Sequence, residues 1–441
     1  MKYEEYKDSG MSWIGQVPTQ WKRSRLKFLF SHSNAGVWGE EEKGDENDIA
    51  CFRVADFDYQ KGYLGFDKLT MRNITAKELE GRLLSQGSLL IEKSGGGDAT
   101  PVGRVVRFNY EDKATCSNFV HFVTVDESHN SDFLYYYFYA MYANKENLLY
   151  FNQTTGIQNL KVGEYLGQSI FIPTYEEQQA IASYLDKKCG KINGAIDVQK
   201  KKIDLLNELK QTIITNAVTK GLNPDAPMKN SGVEWTGMIP SNFSVRRLKT
   251  LCKSIRNGYV GPTRDLYVET GIPYIQSVHI KEGKIIFERE EYYVSEDWAN
   301  KHPKINKGNI VVVQTGDIGQ IALVDDKYDK CNCHALIILA VNNNTVSSEY
   351  LSYYLRSRIG KELMLLTKTG ALLPHLNSTQ IGDTMVVLPP LKEQQYIVDY
   401  IKGEEESFDI KISKANRRIE LLNELKQSII TEAVTGKIKV I

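Results

Sequence analysis

The sequence predicts a mixed α/β (α+β) chain: two globular domains joined by two long helices that form an antiparallel coiled coil, the halves being a pseudo-two-fold internal repeat. Three observations predict it. The chain is written twice, each copy ends in a heptad-patterned run, and the block before each run carries short apolar strands.

The repeat is anchored at both ends of each copy. Ser9-Gly10-x-x-Trp13-x-Gly15-x-x-Pro18, followed by Arg25-Leu26-Lys27, returns as Ser231-Gly232-x-x-Trp235-x-Gly237-x-x-Pro240, followed by Arg247-Leu248-Lys249. Pro173 with Glu177-Gln178-Gln179 answers to Pro389 with Glu393-Gln394-Gln395. Leu205-Leu206-Asn207-Glu208-Leu209-Lys210-Gln211 is identical to the run from Leu421 to Gln427, and Ala217-Val218-Thr219 returns as Ala433-Val434-Thr435. The spacing from the proline onward is the same in both copies.

The closing runs have helical periodicity. Leu185, Cys189, Ile192, Ile196, Gln199, Ile203 and Leu206 step by alternating fours and threes, and Ile401, Glu405, Phe408, Ile412, Ala415, Ile419 and Leu422 take the same places. Thr174 with Glu177 predicts a capping box after Pro173, and Gly221 and Gly436 are natural stops. Gly190, Gly194 and Gly403 predict local weakness, each costing about 1 kcal/mol in a helix interior, with a kink or break as one outcome. Each helix either packs on its own block or pairs with the other; equal length and gapless alignment favour pairing. The boundaries that follow are 1–172, 173–221, 222–388 and 389–441.

The two blocks read as mixed α/β. Ser88-Leu89-Leu90-Ile91 and the run from Asn309 to Val313 predict strands, and aromatic segments begin at Asp132 and Glu349. Packing into a helical core suits these aromatics better than stacking on a ligand. Elsewhere the blocks match poorly, so conserved helices carry differing domains. That pattern suggests common partners for the helices and different ligands for the domains.

Composition bounds the function. The 441 residues are 41% hydrophobic and 25% charged, as in folded soluble domains, and no apolar run is long enough for a membrane span. Six scattered cysteines fit a reducing cytoplasm. Lys+Arg and Asp+Glu are 55 each, a neutral total that argues against strong unassisted binding to a polyanion. Catalytic motifs are missing. Thr435-Gly436-Lys437 lacks the rest of a phosphate loop, Gly95-Gly96-Gly97 reads as a flexible loop, and Pro389-Pro390 is flanked by leucines. Pro224-Asp225 reads as a linker turn, since no Glu-x-Lys follows to hold Mg²⁺. Cys331-Asn332-Cys333-His334 has no second ligand cluster to complete a zinc site and reads as buried thiols beside a strand. His121 and His375 have no acid–base partner in the sequence and default to core or surface histidines.

The paired Ser-Gly-x-x-Trp-x-Gly-x-x-Pro motifs, Gly156-Ile157-Gln158-Asn159-Leu160 with its loose counterpart at 370–376, and the Pro-to-Glu-Gln-Gln helix starts together resemble the specificity subunits of type I restriction–modification systems, over essentially the whole chain. The resemblance implies two target recognition domains, each reading half of a bipartite, asymmetric DNA site. It also implies helices that set the unread spacer and dock two methyltransferase subunits, with motor-nuclease subunits joining them. S-adenosylmethionine, ATP and Mg²⁺ would then sit on the partners, and the chain itself would be no enzyme. A coiled-coil scaffold without nucleic-acid binding is the alternative.

Base reading needs polar side chains on exposed loops. Lys93, Ser94, Asp98, Thr100 and Arg104 around the glycine-rich loop are candidates in the first domain. Gln314, Thr315, Asp317 and Gln320 occupy the equivalent stretch of the second, and Arg53 and Gln276 are further candidates. Lys22, Arg23, Arg25 and Lys27, with Arg246, Arg247 and Lys249, have the character of phosphate-positioning charges. For each, a solvated surface is the alternative.

Overall fold

The computed structural model describes residues 2–154, 156–368 and 375–440. The chain divides into two compact units, 1–200 with 416–441, and 201–415. The two long helices are Tyr175–Lys220 and Leu391–Val434, of 46 and 44 residues, or about 69 and 66 Å at 1.5 Å per residue. Each runs through the point of division, so each unit contains a segment of both.

In the first unit the heptad positions behave as the spacing predicts. Leu185, Cys189, Ile192 and Ile196 are buried, while Lys191, Asp197 and Val198 on the same stretch are exposed. Leu185 and Cys189 share one core with Ile430, Ala433 and Val434 of the second long helix, around Trp21, Phe133 and Tyr137. Tyr3 bonds Glu177 while its neighbour Tyr6 donates to the Gly436 carbonyl, and Asn193 accepts from Lys426 at 3.0 Å; the order of these contacts makes the segments antiparallel. In the second unit Ile214, Ala217 and Val218 share a core with Ile397, Val398 and Ile401, and Lys210 donates to Asp409 at 2.8 Å. Lys210 and Asp409 are the repeat counterparts of Lys426 and Asn193, so each unit has its own copy of one inter-helix contact.

Both helices run unbroken through Gly190, Gly194 and Gly403, where the sequence predicts weakness. A Cβ at any of the three would meet nothing within 4 Å, and burial on either side outweighs the glycine's cost. At the helix start the capping box is half made. Thr174 Oγ1 accepts the Glu177 N–H at 3.4 Å, but the Glu177 carboxylate turns away to accept from the Tyr3 hydroxyl and Trp21 Nε1. Gly221, at φ +71°, and Gly436, at φ +74°, end the helices in the left-handed region as predicted.

The glutamine of each Glu-Gln-Gln run ties helix to domain. Gln178 Oε1 accepts the Asn130 N–H at 2.9 Å and its amide donates to the Pro173 carbonyl at 3.1 Å. Gln394 Oε1 accepts the Ser347 N–H at 2.8 Å and its amide donates to the Pro389 carbonyl at 2.9 Å. Asn130 and Ser347 are the N-caps of the aromatic helices Ser131–Ala143 and Ser348–Arg356, whose Phe133, Tyr137, Tyr350 and Tyr354 are fully buried. The aromatics are therefore core. From these helices Tyr136 donates to Asp186 at 2.7 Å and Tyr353 to Glu405 at 2.8 Å, each carboxylate also pairing with an arginine, Arg107 or Arg356.

The globular parts, so different in sequence, share one topology. In the first unit the strands Phe30–Ala35, Val120–Val125, Ser88–Glu92 and Val105–Arg107 lie side by side, extended by Tyr63–Leu64 and Phe57–Asp58. In the second the order Cys252–Asn257, Leu336–Val341, Ile310–Val313, Ile321–Leu323 repeats the first four. A second sheet in each unit matches as well: Ala114–Cys116 beside Asp48–Phe52, and Asn332–Cys333 beside Ile272–Ile275, are both parallel pairs. The opening motif forms a hairpin in each unit, Tyr6–Asp8 with Gln16–Pro18 and Met228–Asn230 with Met238–Pro240, with Gly15 and Gly237 at positive φ in the connection. Cys331 and Cys333 are buried beside a strand, and among the described residues no three His, Cys, Asp or Glu side chains group to hold a metal. Nor is any helix among them long and apolar enough to cross a membrane.

Candidate nucleic-acid interface

One edge of each unit gathers most of the candidate base-reading positions. In the first unit, strand Asp48–Phe52 ends at Arg53 and strand Ser88–Glu92 ends at Lys93, and the turn at 117–119 joins them. Ser117 N donates to the Phe52 carbonyl at 2.8 Å, and Lys93 N and Ser94 N both donate to the Phe119 carbonyl, at 2.9 and 3.0 Å. The hairpin of Phe151–Thr154 and Ile157–Leu160 completes the edge through Leu160 N, which donates to the Lys93 carbonyl at 2.8 Å. Asp98 and Thr100 are exposed at the tip of the glycine-rich loop, where Gly97 and Thr100 exchange two backbone bonds of 3.1 Å. Exposed Asn118, Asn152, Gln153 and Asn159 lie on the same elements and were not apparent as candidates in the sequence.

Not every candidate faces outward. Ser94 is buried, and its hydroxyl donates to Asn159 Oδ1 at 2.7 Å. Arg104 makes a two-point pair with the buried Glu92, at 2.9 and 3.3 Å, and its guanidinium lies 3.7 Å over the Tyr59 ring. A buried carboxylate needs that partner, because an uncompensated charge would be costly there, so Arg104 is committed inside the unit. Arg53 is half-exposed and paired with Asp56 at 3.0 Å. Lys93 is half-buried, its amine donating to the Asn118 carbonyl at 3.4 Å. Beside it, burial, reinforced by the Lys93 charge, pushes the His121 ring down to about 4 while its Nε2 meets Ser33 Oγ at 2.8 Å.

The glycine-rich segment is anchored at Val102, on its return side. Gln158 Oε1 accepts the Val102 N–H at 3.2 Å, and Asn147 donates to the Val102 carbonyl at 2.7 Å. In the sequence the motif at 156–160 stands only as a family signature, and its glutamine is the signal for this support.

The second unit builds the same edge with other residues. Gln276 follows strand Ile272–Ile275 as Arg53 follows Asp48–Phe52, and His334 N donates to the Ile275 carbonyl at 2.8 Å as Ser117 does to Phe52. Arg53 and Gln276 each cap a short 3-10 turn, closed by Asp56 in one case and by His279 in the other. Gln276 also donates to the Tyr267 hydroxyl at 2.8 Å. Gln314 stands where Lys93 does, its carbonyl accepting from Leu376 N at 3.0 Å. Gln320 stands where Arg104 does: Val313 N donates to its carbonyl at 2.8 Å, and Glu92 N to that of Arg104 at the same distance. The intervening loop is shorter, with Thr315 and Asp317 exposed and Gln314 and Gln320 half-buried. Of the counterpart motif at 370–376, positions 370–374 lie outside the described residues.

The phosphate-type candidates occupy different elements. Lys22, Arg23 and Arg25 project from the strand Lys22–Arg25, which pairs with Ser169–Ile172 before the first long helix, and exposed Lys27 lies 5.1 Å over the Phe28 ring. Arg246 and Arg247 lie on the counterpart strand Ser244–Arg247. Arg247 and Lys249 share Asp383, at 3.2 and 2.8 Å, and the Lys249 ammonium holds that carboxyl below its usual range.

Known proteins share this sequence pattern and this fold. A family model described as the type I restriction modification DNA specificity domain matches residues 18–211 and again 240–422. The MjaVIII type I restriction enzyme specificity subunit of Methanocaldococcus jannaschii is 24% identical over 315 residues, 69% of this chain and 70% of the relative. The MjaIX specificity subunit of the same organism is 23% identical over 449 residues, covering 97% and 95%. A chain solved in a study of complex assembly and conformational transition of the type I R-M system superposes with a TM-score of 0.69 at 15% identity, covering 96% of this chain and 99% of that one. With a repeated hairpin, a repeated helix start and a twice-matching family model over most of its length, the chain belongs to the DNA specificity family of type I restriction–modification systems.

Proposed function

We propose that each globular unit reads one half of a bipartite, asymmetric DNA site, and that the long helices fix the unread spacer between the halves. The observation that carries this reading is the shared edge. One topology presents a loop of different length and different residues in each unit, as expected of a common frame reading two sequences. Lys93, Asp98 and Thr100 act at base edges in the first unit, and Gln276, Gln314, Thr315 and Gln320 in the second. Lys22, Arg25, Lys27, Arg247 and Lys249 hold phosphates.

The helices also dock two methyltransferase subunits. Leu205 and Leu209 are about half exposed, as are Leu421 and Leu425, their identical counterparts. An outward leucine pair repeated where the domains differ suits one kind of partner bound twice. The chain performs no chemistry: S-adenosylmethionine, ATP and Mg²⁺ belong to the methyltransferase and motor-nuclease subunits. The neutral net charge accords with a phosphate grip shared with them. The complex works in the cytoplasm, in keeping with six free thiols. Mapping methylated positions after modification by the chain reconstituted with its methyltransferase tests the reading. Two short motifs around a constant gap are expected; one uninterrupted motif would refute it.

A further inference from the structure

Three adjacent glycines would ordinarily leave a loop free to wander. In the first unit the middle one, Gly96, does the reverse. A Cβ on Gly96, at φ +63°, would lie 2.8 Å from Val102 N and 2.9 Å from Gln158 Oε1; one on Gly103, at φ +106°, would lie 3.0 Å from Asn147 Cβ. Gly96 and Gly103 are where the backbone closes onto its supports, while Gly97 stands in open space. Those supports are Gln158 and Asn147, which grip the N–H and the carbonyl of Val102 from opposite sides. The Ser94–Asn159 bond holds one stem and the Glu92–Arg104 pair the other. The shorter loop of the second unit has no such pair at its stem: Val313 and Gln320 stand there, and Gly319 meets the Met364 and Leu365 side chains.

Gln158 and Asn147 are 2% and 1% exposed and cannot reach a base. We infer that they are positioning residues for sequence discrimination: by holding Val102 they fix where Asp98, Ala99 and Thr100 meet the first half-site. A loop that could settle in several ways would satisfy wrong bases almost as well as right ones, and would lose more freedom on binding. This rests on the reading that the first unit contacts DNA.

The test uses the full chain reconstituted with its methyltransferase subunit, acting on duplexes that carry one altered base pair in either half-site. Gln158→Leu and Asn147→Leu each leave a Val102 backbone group without its partner. Both should cut discrimination in the first half-site about tenfold while leaving the second unchanged. Ser94→Ala, a near-isosteric change releasing one stem, should cut it about fivefold, and it decides the matter if the larger changes prevent folding. Folded variants that lose discrimination at both half-sites alike would overturn the inference. So would lock variants that discriminate as the parent does. A parent complex indifferent to the first half-site would instead overturn the DNA-reading proposal on which the inference stands.

Discussion

Replacing Gln178 with leucine should destabilise the first unit by about 3 kcal/mol. The side chain is 1% exposed, and leucine of similar volume removes both of its backbone bonds at once. The Asn130 N–H and the Pro173 carbonyl are then stranded, each costing about 1–3 kcal/mol when no water replaces the partner. Asn130 is also the N-cap of the aromatic helix, so the loss falls where that helix meets the long one. For a unit of this size about 2–4 °C is expected per kcal/mol, a drop of roughly 6–12 °C in calorimetry of the full chain. Gln394→Leu should act equally on the second unit, through the Ser347 N–H and the Pro389 carbonyl. The two changes lie in separate units and should add in the double variant. A loss below about 0.5 kcal/mol from either would refute the clasp, since surface substitutions alone reach that size.

Other outcomes follow from the same structure. One heptad inserted into each long helix, at the matched positions after Ile196 and after Ile412, adds about 10 Å to each and should widen the unread gap by about three base pairs; an unchanged gap in methylation mapping would dispose of the ruler. Asp383→Asn should free Arg247 and Lys249, raising affinity for any DNA sequence and steepening its salt dependence, while Lys249→Ala should lower the slope by about 1; anisotropy across a salt series reads both. His121 titrates at about 4 when folded against 6.5 ordinarily, so the fold holds the neutral ring. Its contribution to stability is complete above about 6.5 and is lost as pH falls toward 4. His121→Gln should flatten that window in urea midpoints taken at pH 7 and pH 5, and an unaltered pH dependence would exclude His121 as its source.

The repeat, the two long helices, their stops and the seam were all legible in the sequence, because helical structure is local and periodic. Leu185, Cys189, Ile192 and Ile196 announce the buried face by spacing alone, and Gly221 announces the end by its conformational freedom. Of the outcomes open at Gly190, Gly194 and Gly403, the unbroken helix is the one that forms, because flanking burial overrides a weak local propensity.

What only the tertiary structure decided was everything that depends on pairing across distance. The sheets of the two units share an order invisible in the sequence, since any apolar β-former satisfies a buried strand and leaves no residue-level trace of its neighbour. Arg104 and Ser94 have the residue types of base readers, yet the buried Glu92 and the neighbouring Asn159 claim them. Glu177 sits at a capping-box spacing, yet Tyr3 and Trp21, far away in the chain, take its carboxylate. Gly96, in a triplet that reads as freedom, becomes a tight fit once Gln158 arrives from a later hairpin. Sequence records what a side chain can offer; the fold decides which group is close enough to accept, and a buried polar atom left without a partner is too costly for that choice to remain open.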